Sequence, residues 1–144
     1  MTDYLLDTNV ISEAVRKLPN PNVLAWTNSL ARAQALVSEM TIAELEQGVA
    51  LTVDTAKQAY LRAWLDGDVY PFFDGRVLPI DSQVLQSALS LSSDGRRWGQ
   101  TYAFQDLLIG ATAAAHGLTV VTRNQRNFAP MGVALFDPWT DPLP

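Results

Sequence analysis

Three acidic residues of this chain stand where a carboxylate can do chemistry. Asp7 ends the apolar run YLLD, residues 4–7, just before the polar pair Thr8 and Asn9. Glu44 lies in SEMTIAELEQGV, early in a helical pattern that follows a second apolar run. Asp106 lies in FQDLLIGATAAAHG, in the first turn of a helix that is apolar nearly all round and is therefore expected to be buried. A carboxylate entering such a helix is costly without a partner. Three carboxylates brought together repel one another unless a cation sits among them, and oxygen-only donors suit hard divalent ions such as Mg²⁺ or Mn²⁺. The chemistry this implies is attack by an acidified water, with one carboxylate taking its proton. Asn124, in VVTRNQRNF, is a fourth candidate that can accept a metal or water contact but brings no charge.

A parallel sheet would bring these residues together. Residues 4–7, 35–38, 77–80, 119–122 and 133–136 read as short apolar strands. Helical patterns lie between them, near 9–17, 22–33, 41–51, 54–66, 82–92 and 104–116. Short apolar strands separated by helices predict an α/β fold, a parallel sheet covered on both faces. Ligands of such sheets collect beyond the carboxyl ends of the strands. Asp7, Glu44, Asp106 and Asn124 all fall on that edge. Pro19 and Pro21 separate the first helical region from the second, DGRV at 74–77 is a turn, and Gly117 is a left-handed helix cap. One domain over 1–139 is expected, with a proline-rich tail at 140–144 that frays after Trp139.

Each residue also has a purely structural role open to it. Asp7 can end its strand and cap the next helix. Thr41 to Glu44, TIAE, reads as a capping box in which Glu44 reaches back to the N-cap amide. Asp106 can complement a helix dipole, as can His116 at the other end of the same helix. Asn124 can be a turn residue and Asp81 an N-cap. The tryptophans and the pair Phe72 and Phe73 read as core or interface anchors. Arg96, Arg97, Arg123 and Arg126 are either solvated or contacts for phosphate.

Composition narrows the classes. The chain has 144 residues, 48% hydrophobic and 17% charged, enough to bury a core. Cysteine is absent, so there is neither a disulfide framework nor a thiolate metal site, and a reducing compartment is expected. A single histidine, His116, argues against a Ser-His-Asp triad or a multi-histidine zinc site. The net charge of −5 argues against a broad basic face for nucleic acid, but not against an enzyme that reaches phosphate through bound cations. The start MTDYLLD is not a signal sequence, and no apolar run approaches the roughly 20 residues that span a bilayer, so no membrane association is expected.

LLDTNVISE, SEMTIAELEQGV, FQDLLIGATAAAHGLTVVTRNQRNF and the closing VALFDPW together resemble the PIN-domain family, and most of all the VapC-type toxins of bacterial toxin–antitoxin pairs. The resemblance runs from Tyr4 to Trp139. It implies a three-layer α/β/α sandwich on a five-stranded, mostly parallel sheet. It implies a cytoplasmic endoribonuclease that uses one or two Mg²⁺ or Mn²⁺ ions to cut RNA, with transfer or ribosomal RNA as targets. Asp7, Glu44 and Asp106 then become the catalytic acids and metal ligands, Glu44 directly or through a water. The family's fourth acid usually falls in TRNQRNF, where Asn124 and Asn127 are both amides; this departure bears on a second metal. Asn9, Ser38 and Thr122 match pocket-lining positions, and Arg123 and Arg126 are candidates for RNA phosphate. The implied partners are a second copy, in a homodimer, and a VapB-type antitoxin, in a heterotetramer or larger assembly.

Two other readings remain open on the sequence. An apolar strand ending in Asp also occurs where an aspartate takes a phosphoryl group, although such sites usually carry a second Asp two positions on, where this chain has Asn9. A PIN-fold interaction module without catalysis would account for the amides at 124 and 127.

Overall fold

The computed structural model describes residues 2–143. Five strands, β1 (Tyr4–Leu6), β2 (Ala35–Ser38), β3 (Val77–Leu78), β4 (Thr119–Val121) and β5 (Leu135–Phe136), pair in parallel throughout, in the order β3-β2-β1-β4-β5. Tyr4 is in register with Ala35 on one side and Thr119 on the other. The chain builds outward from β1 through β2 to β3, then crosses back to lay β4 on the far side of β1. The crevice beyond β1 and β4 is therefore the topological switch point, the place where open α/β sheets hold ligands.

Eight helical segments surround the sheet: α1 (Thr8–Ser12), α2 (Pro21–Ser29), α3 (Glu39–Leu51), α4 (Thr55–Trp64), α5 (Tyr70–Phe72), α6 (Ser82–Arg97), α7 (Phe104–His116) and α8 (Gln125–Phe128). Strand side chains alternate between faces. Tyr4 and Leu6 of β1, Ala35 and Val37 of β2 and Val121 of β4 pack on one face with Val10, Trp26, Leu45 and Phe73. Leu5 and Val120 point the other way, onto Ile109 and Ala113 of α7 and Phe128 of α8. Helices on both faces make this the expected three-layer sandwich, and they explain why the strands read as unbroken apolar runs.

α7 starts and stops where its sequence pattern does, closed by Gly117 at φ 64°. Elsewhere packing redraws the boundaries. α1 tightens after Ser12 into a 3₁₀ turn at Glu13–Val15. α4 continues through a π-helical turn, Leu65–Val69, into α5, which buries both Leu65 and Val69. β3 stops at Leu78, since Pro79 has no amide to donate. α6 runs on to Arg97, where Gly95 lets the chain close tightly: a Cβ there would lie 2.9 Å from the Gln100 carbonyl oxygen. The segment after Trp139, expected to fray, is fastened by Asp141, whose Oδ2 accepts the Asp137 amide at 2.8 Å and the Gln125 side chain at 3.3 Å. Among the described residues no helix is long and apolar enough to cross a membrane.

Candidate active site

Asp7 is the first residue past β1, and the sheet still grips it: its backbone N–H donates to the Val121 carbonyl at 2.9 Å. The side chain is buried. Oδ1 accepts the Thr8 N–H at 2.8 Å, so Asp7 does cap α1. Oδ2 accepts the Thr122 hydroxyl at 2.8 Å and the Asn9 amide at 3.4 Å. Capping thus uses Oδ1, while Oδ2 takes the bonds from Thr122 and Asn9. Thr122 is itself fixed at the end of β4, its N–H donating to the Phe136 carbonyl at 3.0 Å.

The capping box expected at Thr41 to Glu44 does not form. α3 begins two residues earlier, at Glu39, and its N-cap is Ser38, whose hydroxyl accepts the Met40 N–H at 3.0 Å. Thr41 is inside the helix and wholly buried, its hydroxyl without a hydrogen-bond partner among the described residues. Glu44 is freed from capping and faces α1 instead, where its Oε1 accepts the Thr8 hydroxyl at 3.0 Å. Ser38 lies at the carboxyl end of β2, but its hydroxyl serves the helix.

Asp106 is in the first turn of α7, which is buried from Leu108 to Ala113. Asn127 of α8 lies near enough to lower its pKa. Asn124 instead forms the turn into α8, with its backbone N–H on Thr122 Oγ1 at 3.0 Å. Of the two amides in TRNQRNF, Asn127, not Asn124, is the one that acts on the pKa of an acid.

All three acids are held above the ordinary carboxylate range. For Asp7 the main cause is burial, opposed by the bonds from Thr122 and Thr8 and reinforced by the charge of Asp106. Burial also raises Glu44, with Thr8 pulling it down and the charges of Asp7 and Asp106 pushing it up. Burial raises Asp106, and Asn127 opposes. Each acid is disfavoured as an anion, and the charge of Asp106 adds to the rise of both Asp7 and Glu44.

The donors around that space are carboxylate, hydroxyl and amide oxygens, a set that fits a hard divalent cation. Among the described residues, no three acidic or histidine side chains gather tightly enough to clasp an ion by themselves.

The remaining candidates fall outside this cluster. Asp81 caps α6, accepting the Val84 N–H at 3.0 Å. His116 is in the last turn of α7. The Arg123 guanidinium lies 5.4 Å from the Trp139 ring centroid, and the Arg123 backbone N–H donates to Asn9 Oδ1. Arg126 is exposed on α8, and Arg96 and Arg97 end α6. Trp26 and Phe73 are core residues, whereas Trp98 is exposed. Thr8 is the site residue that sequence reasoning passed over. Its bond to Glu44 spans 36 positions, and nothing local in DTN announces it.

Residues 4–132 match the family described as PIN domain. The chain is 42% identical over 137 residues to Toxin FitB of Neisseria gonorrhoeae, covering 95% of this chain and 99% of that protein. It is 36% identical to VapC ribonuclease Y4jK of Sinorhizobium fredii over 94% of this chain and 96% of the relative. The solved structure of FitAB bound to the IR36 DNA fragment superposes with a TM-score of 0.91 at 39% identity, covering 96% of this chain and 97% of that one. With the sheet order, the acids at the switch point and these likenesses all in agreement, the chain belongs to the PIN-domain family.

Proposed function

We propose that this protein is the toxin of a bacterial toxin–antitoxin pair and acts in the cytoplasm as a Mg²⁺- or Mn²⁺-dependent endoribonuclease that limits translation by cutting transfer or ribosomal RNA. What supports the reading is that Asp7 lies buried at the switch point of a PIN-type sheet, with burial raising it together with Glu44 and Asp106, and with the charge of Asp106 acting on both Asp7 and Glu44. Three facing acids without a cation would be a standing cost to the fold. The names of the relatives support the toxin and ribonuclease parts of the reading.

A bound divalent cation supplies an acidified water and offsets the charge developing on phosphorus. Asp7 and Asp106 would hold it, with Glu44 binding directly or through a water. Thr122 and Asn9 aim Asp7 through Oδ2. Thr8 aims Glu44 through Oε1, leaving Oε2 to take the proton of the attacking water. Asn127 orients Asp106 and adds no charge. Because water is the nucleophile, the substrate's 2′-hydroxyl is not required.

The partners in this reading are a VapB- or FitA-type antitoxin and a second copy of the chain. An antitoxin arginine could replace the cation as counter-charge, bonding two carboxylates at once.

The test is cleavage of total cellular RNA by the purified, antitoxin-free protein with Mg²⁺ or Mn²⁺, with chelator, and with Asp7→Asn. Discrete fragments that need both metal and Asp7 are expected. The amides at 124 and 127 favour a second reading, an interaction module, and absence of cleavage by folded protein under either metal would establish that one instead.

A further inference from the structure

A cleft of about 720 Å³ opens beside the candidate active site, with an apolar floor of Val15, Leu45, Val49, Leu61 and Trp64 and three cations among its lining. Thr8 and Glu44 line it together with Arg16, Lys17, Lys57 and Tyr60. Arg16 and Lys17 directly follow the turn after α1, while Lys57 and Tyr60 are three apart on α4 and so share a face. The chain carries a net charge of −5 and only ten Lys and Arg residues, yet three of those ten, including both lysines, meet here.

Many of the other cations are committed elsewhere. Arg62 pairs with Glu46 and Asp66. Arg76 is bonded to the carbonyls of Ala35 and Phe72. Lys17 and Lys57 have no acidic group within ion-pair distance among the described residues, and Arg16 holds Glu13 only at 3.4 Å with its own side chain 60% exposed. Uncommitted cations around a concave surface concentrate anions. Tyr60, 60% exposed in the same cleft, offers an aromatic face of the kind on which bases stack.

We propose that this cleft is the track by which single-stranded RNA reaches the acids. Its phosphates lie on Arg16, Lys17 and Lys57, a base stacks on Tyr60, and the strand leads to Glu44. The inference rests on the ribonuclease reading above. An acidic peptide would also meet the cations, but the aromatic face and the adjoining acidic centre, which repels carboxylates and accepts phosphate through a cation, favour RNA.

The test measures binding of a fluorescein-labelled 12-nucleotide single-stranded RNA to Asp7→Asn protein across a salt series. Adding Lys17→Ala and Lys57→Ala is expected to weaken binding about tenfold and to reduce the log–log salt slope by about 1.4, two single-strand phosphate contacts. Tyr60→Ala is expected to weaken binding about tenfold while leaving that slope alone. In the cleavage-competent background the lysine loss should appear in KM rather than kcat, and Arg97→Ala, at the end of α6, should match the parent. If the parent cleaves RNA but the lysine variant binds and cleaves like it, the track is wrong and the ribonuclease reading stands. If the parent neither binds nor cleaves RNA, both fall. Displacement of the RNA by polyglutamate at equal charge concentration would assign the cleft to an acidic protein segment and overturn the proposal.

Discussion

Thr122 Oγ1 donates a 2.8 Å hydrogen bond to Asp7 Oδ2 and so ties the end of β4 to the end of β1 across the switch point. The same hydroxyl accepts the Asn9 amide at 3.2 Å and the Asn124 N–H at 3.0 Å, which uses its one donor and both acceptor positions. Thr122→Val keeps the shape and removes all three bonds. It should cost about 1–3 kcal/mol of stability and about 10- to 100-fold in RNA cleavage, the usual effect of losing a group that orients a metal ligand. Thr122→Ser should recover most of both. Urea midpoints and turnover measured together check this, and a valine variant with parental turnover would sink it.

The pH dependence of stability should reveal the strained acids. Asp7, Glu44 and Asp106 have folded pKa values raised above their unfolded ones, so the folded protein binds protons more tightly. Stability of the metal-free protein therefore rises as pH falls through the raised values, levelling off near about 4, where the unfolded chain also protonates. Glu46 acts in the opposite sense: Arg62 and Tyr70 pull it down to about 2, so its contribution is present above its ordinary 4.5 and is lost as pH falls toward 2. Above the ordinary carboxylate range the site dominates. Thermal melts in chelator should show Tm rising across that window; saturating Mn²⁺ should reverse the trend, because protons then compete with the ion.

The start of α3 separates capping from catalysis. Ser38→Ala should cost about 1 kcal/mol as a lost N-cap. Thr41→Val should be neutral or stabilising, since it removes a buried hydroxyl that has no partner among the described residues. Glu44→Gln should leave the metal-free protein as stable as the parent or slightly more so, since it removes a disfavoured charge, and should abolish cleavage. Denaturant titration of the three variants decides. A large loss of stability in Thr41→Val would restore the capping box.

Asn127 and Asn124 can be told apart by restoring a charge at each. Asn127→Asp puts a fourth acid beside Asp106 and should lower the metal-free Tm while tightening Mn²⁺ binding about tenfold, in line with ligand charge setting affinity. Asn124→Asp should do neither. Calorimetric titration with Mn²⁺ reads both, and equal effects at the two positions would mean that the site reaches further along α8 than Asn127.

Much of this was legible in the sequence because it is written in short-range patterns. β2 and α7 match their apolar patterns residue for residue, and Asp7, Asp81 and Gly117 sit where strand-end and cap chemistry put them. The α3 start was misread because both Ser38 and Thr41 are good caps, and only the way β2 enters the helix selects between them. The role of Thr8, and the choice of Asn127 over Asn124, were out of reach for a different reason. Each depends on a partner on another element, and neither hydroxyl nor amide carries a periodicity that would show which way it faces. β3 and β5, two residues each in the sheet, are too short for alternation to fix their ends.

The Asp141 clasp places the far end of the chain close to the chemistry. Asp141 holds Gln125, and Gln125 begins the single turn of helix that carries Asn127, the residue that lowers the Asp106 pKa. A tag, fusion or trimming at the carboxyl terminus that displaced Asp141 would loosen that helix from its outer side. The last few residues then act as a latch on the third acid, and engineering them is engineering the site.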